Sequence, residues 1–182
     1  MTFNSFPENR KIFTIGCDEL APEEFVALLK KSEISIPVDI RTEAEQAKSK
    51  TLPQETLRSQ CEQSDIVHHW AGRQLGEVQQ GAEASRQKAL DDQVLRNYAD
   101  FMESEQFKRS MAQLINISSK DKLALCSSQK NYSDSTRQLI ADYLLLAGIN
   151  VENIVVIEDN IPHSLFPQSR RESFELIYDL FI

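Results

Sequence analysis

The stretch Leu123 to Ala147, LALCSSQKNYSDSTRQLIADYLLLA, decides the fold. Leu123, Ala124 and Leu125 form a short apolar run, while Leu139, Ile140, Tyr143, Leu144 and Ala147 recur at helical spacing. The order predicts a buried strand, a polar loop and a helix. It places Cys126 just beyond the carboxyl end of a strand, where parallel α/β sheets bind their ligands. The loop offers Ser127, Ser128, Asn131, Ser133 and Ser135 beside the free N–H groups of the helix start, a combination suited to an anion. A thiol held there has its pKa lowered, which raises its nucleophilicity. The alternative is packing, because free cysteine is among the most buried residue types.

Ile36 to Arg41, IPVDIR, reads as a second strand, ending on Asp39 and Arg41. Before it, Phe25, Val26, Leu28 and Leu29 form one apolar helical face, with Pro22 at a first helical position and Glu23 and Glu24 in the first turn. Parallel strands ending at Asp39/Arg41 and at Cys126 bring a carboxylate, a guanidinium and a thiol to one rim. Arg41 could there grip an anion as a rigid fork oriented by Asp39. A purely structural Asp39–Arg41 pair is the competing reading.

Elsewhere the pattern alternates. A first strand spans Lys11 to Gly16, a helix Pro22 to about Lys31, and a helix Pro53 to about Gln63; a third strand spans Ile66 to His69. Gly72 to about Glu83 has no period and reads as a long loop, expected to act as a mobile lid. Helices follow over about Gln87 to Met102 and Ser104 to Ile117, and a strand over Asn153 to Ile157. Phe174, Ile177, Tyr178 and Phe181 predict a C-terminal helix over about residues 169–181. The fold class expected is α/β: a single three-layer domain over 1–182 with a mainly parallel sheet of about five strands flanked by helices.

A net charge of -8 and a pI near 5.0 argue against non-specific attachment to nucleic acid. No N-terminal signal region and no apolar run near about 20 residues is present, which leads to the expectation of a cytoplasmic chain with no membrane partner. Cys17, Cys61 and Cys126 are odd in number and widely spaced, fitting reduced thiols better than disulfides or a zinc site. No metal and no cofactor is expected, and neither a Walker-type loop nor G-x-G-x-x-G is present to indicate a nucleotide. The partner expected is a small anionic molecule, with oligomeric state left open.

The motifs TIG (Thr14–Gly16), VDIR (Val38–Arg41), GRQLG (Gly72–Gly76), NYADFM (Asn97–Met102), and the Cys126 strand leading into TRQLIADYL together resemble the bacterial domain of unknown function family 488, DUF488. The similarity runs from about Ile12 to about Ile157. Carried over residue by residue, the shared positions are Gly16, Asp39, Arg41, Gly72, Arg73, Leu75, Gly76, Tyr98, Met102, Cys126 and Arg137. The resemblance implies a fold and a pocket rather than a reaction. Where the family usually has histidine after T-I-G this chain has Cys17, followed by Asp18; Ser127 and Ser128 stand in the family's A-E positions, and Ser135 and Thr136 precede Arg137 where cysteine and histidine are usual. These exchanges weaken any Cys/His mechanism. His68 and His69 remain nearby candidates to reach the site.

The strand-terminal Asp-x-Arg followed by a cysteine loop also looks like the plan of rhodanese-type domains, although Arg137 lies eleven positions after Cys126 rather than close behind it. An analogy of architecture does not establish activity. Two functions are therefore expected as alternatives. In the first, Cys126 acts as nucleophile or sulfur carrier on a small anion, with Asp39 orienting Arg41 and with Arg41, Arg73 and Arg137 binding; Gly16, Cys17, Tyr98, Ser127 and Ser128 complete the pocket. In the second, the same pocket binds a nucleotide or phosphorylated ligand without catalysis.

Overall fold

The computed structural model describes residues 10–156 and 159–181. Three apolar strands cross its centre side by side. β1 (Lys11–Gly16) lies between β4 (Leu123–Ser127) and β5 (Asn150–Ile154), and β2 (Ile36–Asp39) pairs with the far side of β4. The sheet order is β3-β2-β4-β1-β5-β6, with β3 (His69–Trp70) and β6 (Ile161–Pro162) as short edges. Five strands are parallel and the sixth, β6, is antiparallel to β5, so the sheet has one strand more than expected. The carboxyl ends of the parallel strands fall on one rim: Gly16 pairs with Ser127, and Asp39 with Cys126.

Helices cover both faces. Against one face lie α1 (Pro22–Lys31) and α3 (Gln54–Glu62), burying Phe25, Leu29, Leu57 and Cys61 with Phe13, Ile15, Ala124 and Cys126. Against the other lie α5 (Gln93–Phe101), α6 (Glu105–Ile117) and α7 (Thr136–Leu146), whose Tyr98, Phe107, Leu139 and Ile140 meet Ile12, Val38, Leu123 and Leu125. Burying one Leu or Phe side chain is worth about 1.5–3 kcal/mol, so these two layers dominate the fold's stability.

Several boundaries differ from the sequence reading for physical reasons. α5 starts at Gln93 rather than Gln87 because the Asp92 side chain accepts from Val94 N and Leu95 N and fixes the N-terminus there. A helix absent from the sequence reading, α2 (Glu43–Lys48), starts in a capping box in which Thr42 and Glu45 cap each other's backbone N–H. The third strand moves to His69–Trp70, and β5 begins at Asn150; Ile157, the expected end of that strand, lies outside the described residues.

The expected C-terminal helix is instead a hairpin, β7 (Ser169–Glu172) with β8 (Glu175–Tyr178). Its turn is made by Ser173 at φ 56° and an exposed Phe174. The expected lid begins as a short helix, α4 (Gly72–Leu75), and continues as an anchored segment. Gln79 O accepts from Asn97 Nδ2, while Asp100 accepts from Ala82 N and from Ser85 Oγ. Among the described residues no helix is long and apolar enough to cross a membrane.

Candidate ligand-binding site at the carboxyl rim

Asp39 ends β2 on the face covered by α1 and α3, Arg41 follows two residues later, and both are fully buried. The pair is bidentate: Arg41 Nε donates to Asp39 Oδ1 at 2.9 Å and a terminal nitrogen to Oδ2 at 2.8 Å. The other terminal nitrogen donates to Asp18 Oδ1 at 2.8 Å and to Leu52 O at 2.9 Å. Gln46 Nε2 adds a donor to Asp39 Oδ2 at 3.1 Å. Burial disfavours the guanidinium's charge, but the hydrogen bonds it donates to Asp39 and Asp18, with the field of the neighbouring Cys17 and Asp39, outweigh it and raise its pKa above the ordinary arginine value. Two carboxylates and a carbonyl thus hold Arg41. The fork expected to grip an external anion instead holds the chain itself, which corrects its assignment as a ligand-binding residue. Asp39 holds Arg41 in a network whose Asp39 carboxylate is sealed from solvent and whose Asp18 carboxylate is partly exposed.

The thiol expectation is also corrected. Side chains alternate across a strand, and Leu123 and Leu125 face the α5–α7 layer while Ala124 and Cys126 face the opposite one. Cys126 therefore turns away from α7 and its N-terminus. It is fully buried, with Sγ 3.6 Å from Ala124 O, and burial pushes its pKa well above the ordinary thiol value. Cys17, just past β1, donates from Sγ to Ser127 O at 3.1 Å, and burial pushes it up to about 12. Cys61 is pushed up to about 11 for the same reason.

One residue after Cys126, Ser127 faces the α7 layer, and here the site opens a different possibility. The chain leaves β4 and folds directly over Gly16, where a Cβ would lie 2.1 Å from Gln129 O, so only glycine fits under the loop. The loop closes on Ser135 and enters α7, whose second residue is Arg137. Arg137 is 1 % exposed. One terminal nitrogen donates to Gln129 O at 3.1 Å and Lys130 O at 3.3 Å, while Nε has no partner. Among the described residues no carboxylate is paired with it, and burial lowers its pKa to about 10. At the other end of the same loop, Ser127 Oγ is likewise buried without a partner. Ser128 is spoken for, donating to Glu45 Oε1 at 3.0 Å.

Two expected site residues belong elsewhere. Arg73 is exposed on α4, pairs with Glu43 at 2.7 Å and stacks over the Trp70 ring at 5.4 Å. Tyr98 is wholly buried and donates to Leu75 O at 2.6 Å, joining α5 to α4. The GRQLG motif is architectural at its first residue: a Cβ on Gly72 would meet Arg41 O at 2.1 Å. His68 is half-buried with an unpartnered Nε2, and burial lowers its pKa; His69 is exposed on the β3 edge. Glu45, Glu77 and Asp18 face the rim loops and were not singled out from the sequence as site residues. The capping-box spacing of Thr42 and Glu45 was the one available signal for Glu45. Among the described residues no group of three or more His, Cys, Asp or Glu side chains is placed to hold a metal ion.

Comparison with curated proteins gives no match, and comparison with solved structures gives none either. The family model described as domain of unknown function DUF488 matches residues 21–144, from the residue before α1 to within the last turn of α7. Those residues include Asp39, Arg41, Gln46 and Leu52 of the buried network but not its Asp18, together with the Gly72 contact and the whole Ser127–Arg137 loop, and the chain belongs to the DUF488 family.

Proposed function

We propose that this protein is a non-catalytic binding module for a small anion, such as a phosphorylated metabolite or nucleotide phosphate, held by the loop between β4 and α7. The observation that carries this reading is Arg137. A guanidinium removed from water costs several kcal/mol unless a counter-charge accompanies it. Arg41, in the same rim, has two carboxylates; Arg137 has only two backbone carbonyls and an orphaned Nε. A bound anion would supply the missing charge, with Ser127 Oγ free to donate a further hydrogen bond and the N-terminus of the eleven-residue helix α7 carrying no side-chain cap.

Cysteine-dependent transfer is the less supported alternative. A nucleophilic thiol has to be partly ionised and reachable, and Cys126 is neither. Calorimetric titration with sulfate, phosphate and a nucleoside monophosphate separates the two. Binding that survives Cys126→Ser and disappears in Arg137→Met is the expected result. Loss of binding in Cys126→Ser with Arg137→Met unaffected would overturn the module.

A further inference from the structure

Three consecutive residues of the β4–α7 loop are each tied to a carboxylate from a different element. Ser128 Oγ donates to Glu45 Oε1 on α2 at 3.0 Å; Gln129 Nε2 donates to Glu77 Oε1, just after α4, at 3.3 Å; and Lys130 pairs with Glu19 of the β1–α1 loop at 3.3 Å. The same Gln129 whose side chain reaches Glu77 offers its carbonyl to Arg137. The loop is thus strapped down on its outer side by acids while its inner side rests on the arginine and on Gly16. The Gln129 and Lys130 carbonyls that accept from Arg137 belong to this tied segment, so an anion that takes their place on the guanidinium has to displace it.

Resting on the anion-site reading above, we propose that residues 128–130 form a carboxylate-latched gate over Arg137, and that Glu77 is the latch that releases it. The three ties are unequal. Lys130 and Glu19 are both largely exposed, and such a pair is worth little. Glu45 is also the N3 partner of the α2 capping box, its Oε2 accepting from Thr42 N and Oγ while Oε1 accepts from Ser128, so its carboxylate is held in place independently of the loop. Glu77 has no other hydrogen bond among the described residues than the one from Gln129.

The charged surroundings of Glu77 favour release by protonation. Burial raises its pKa first, and the neighbouring carboxylates Glu45 on α2 and Asp92 at the start of α5 raise it further; Gln129 and Lys48 oppose them. Tyr98 of α5 also lies within its field, as a neutral phenol held well above its ordinary pKa by burial. The tie to Gln129 is charge-assisted while Glu77 is ionised, and it weakens to a neutral hydrogen bond as pH falls through the raised Glu77 value. The same proton removes a negative charge that would repel the incoming anion. Both effects favour binding at lower pH.

Sulfate is the probe, because it keeps its charge between pH 5 and 8 where phosphate does not. Stopped-flow or calorimetric titration of the full chain at pH 5.0 and 8.0 is expected to show sulfate binding about two-fold or more faster and tighter at the lower pH, and the Glu77→Gln variant is expected to lose that difference and to bind at pH 8.0 faster and tighter than wild type does there. Ser128→Ala, which cuts the tie to Glu45 without touching the capping box, is expected to speed association at both pH values. Sulfate binding that requires Arg137 but has the same rate and affinity at both pH values and in Glu77→Gln would overturn the gate and leave the anion site standing. Absence of sulfate binding at both pH values in wild type, Glu77→Gln and Ser128→Ala would overturn the site and the gate together.

Discussion

Cys126 and Ser127 are adjacent, yet one is core and the other faces the candidate site, and that difference was not legible in the sequence. LAL is a continuous apolar run, as expected of a parallel strand buried on both faces, so it carries no alternation to say which side each residue takes. The rim position of Cys126 was legible; its orientation needed α7 in place. Asp39 and Arg41 were likewise legible as a pair but not as a closed network, because Asp18 and Leu52 come from other loops. The three buried thiols lead to an expectation about alkaline stability. Their folded pKa values are raised above those of the unfolded chain, so above about pH 9 the unfolded state has lost protons that the folded state keeps. Their stabilising contribution is complete below that pH and declines as pH rises toward the folded values near 11 and 12. Urea unfolding at pH 8, 9 and 10 is expected to show stability falling by up to about 1.4 kcal/mol per pH unit for each such thiol, with Cys61→Ala flattening the slope. A profile unchanged by Cys61→Ala would contradict this account of the buried layer.

At the scale of elements, α1 was legible to its boundaries because Pro22, an acidic first turn and Lys30 and Lys31 in the last turn all agree with its apolar face. The C-terminal hairpin was not. Phe174, Ile177, Tyr178 and Phe181 have helical spacing, but Phe174 and Phe181 are 83 % and 79 % exposed, so the pattern does not mark a buried face. The hairpin is fixed instead by a long-range contact. Buried Asp142 on α7 accepts from Tyr178 OH at 3.0 Å and from Phe166 N at 3.2 Å, and lies 2.8 Å from His163 Nε2. Asp142→Ala would leave the Tyr178 hydroxyl and His163 buried without this partner, at a cost of about 3 kcal/mol. Hydrogen exchange is expected to show β8 amides losing more protection than those of β1 and β4; equal losses throughout would show that Asp142 does not clasp the hairpin.

For the whole molecule, strand and helix alternation made a parallel α/β sheet legible, but not the insertion of β4 between β2 and β1. That order creates the site, since it sets the β4–α7 loop against Gly16 on one side and the α2 and α4 segments on the other. The central claim is that Arg137 is buried without a counter-charge because a ligand supplies one. Proteins hold such groups at a cost in stability, and the cost disappears when an apolar side chain of similar length replaces them. Thermal unfolding of wild type and Arg137→Met, each in sodium chloride and in sodium sulfate of equal ionic strength, tests this directly. General salting effects of sulfate appear in both proteins and cancel in the comparison. The account predicts that Arg137→Met unfolds within about 1 kcal/mol of wild type, or is more stable, in chloride, and that the extra sulfate stabilisation, about 2.7 kcal/mol at 100 times the dissociation constant, occurs in wild type alone. A variant several kcal/mol less stable in chloride, with sulfate stabilising both proteins equally, would show that Arg137 serves only to hold the loop.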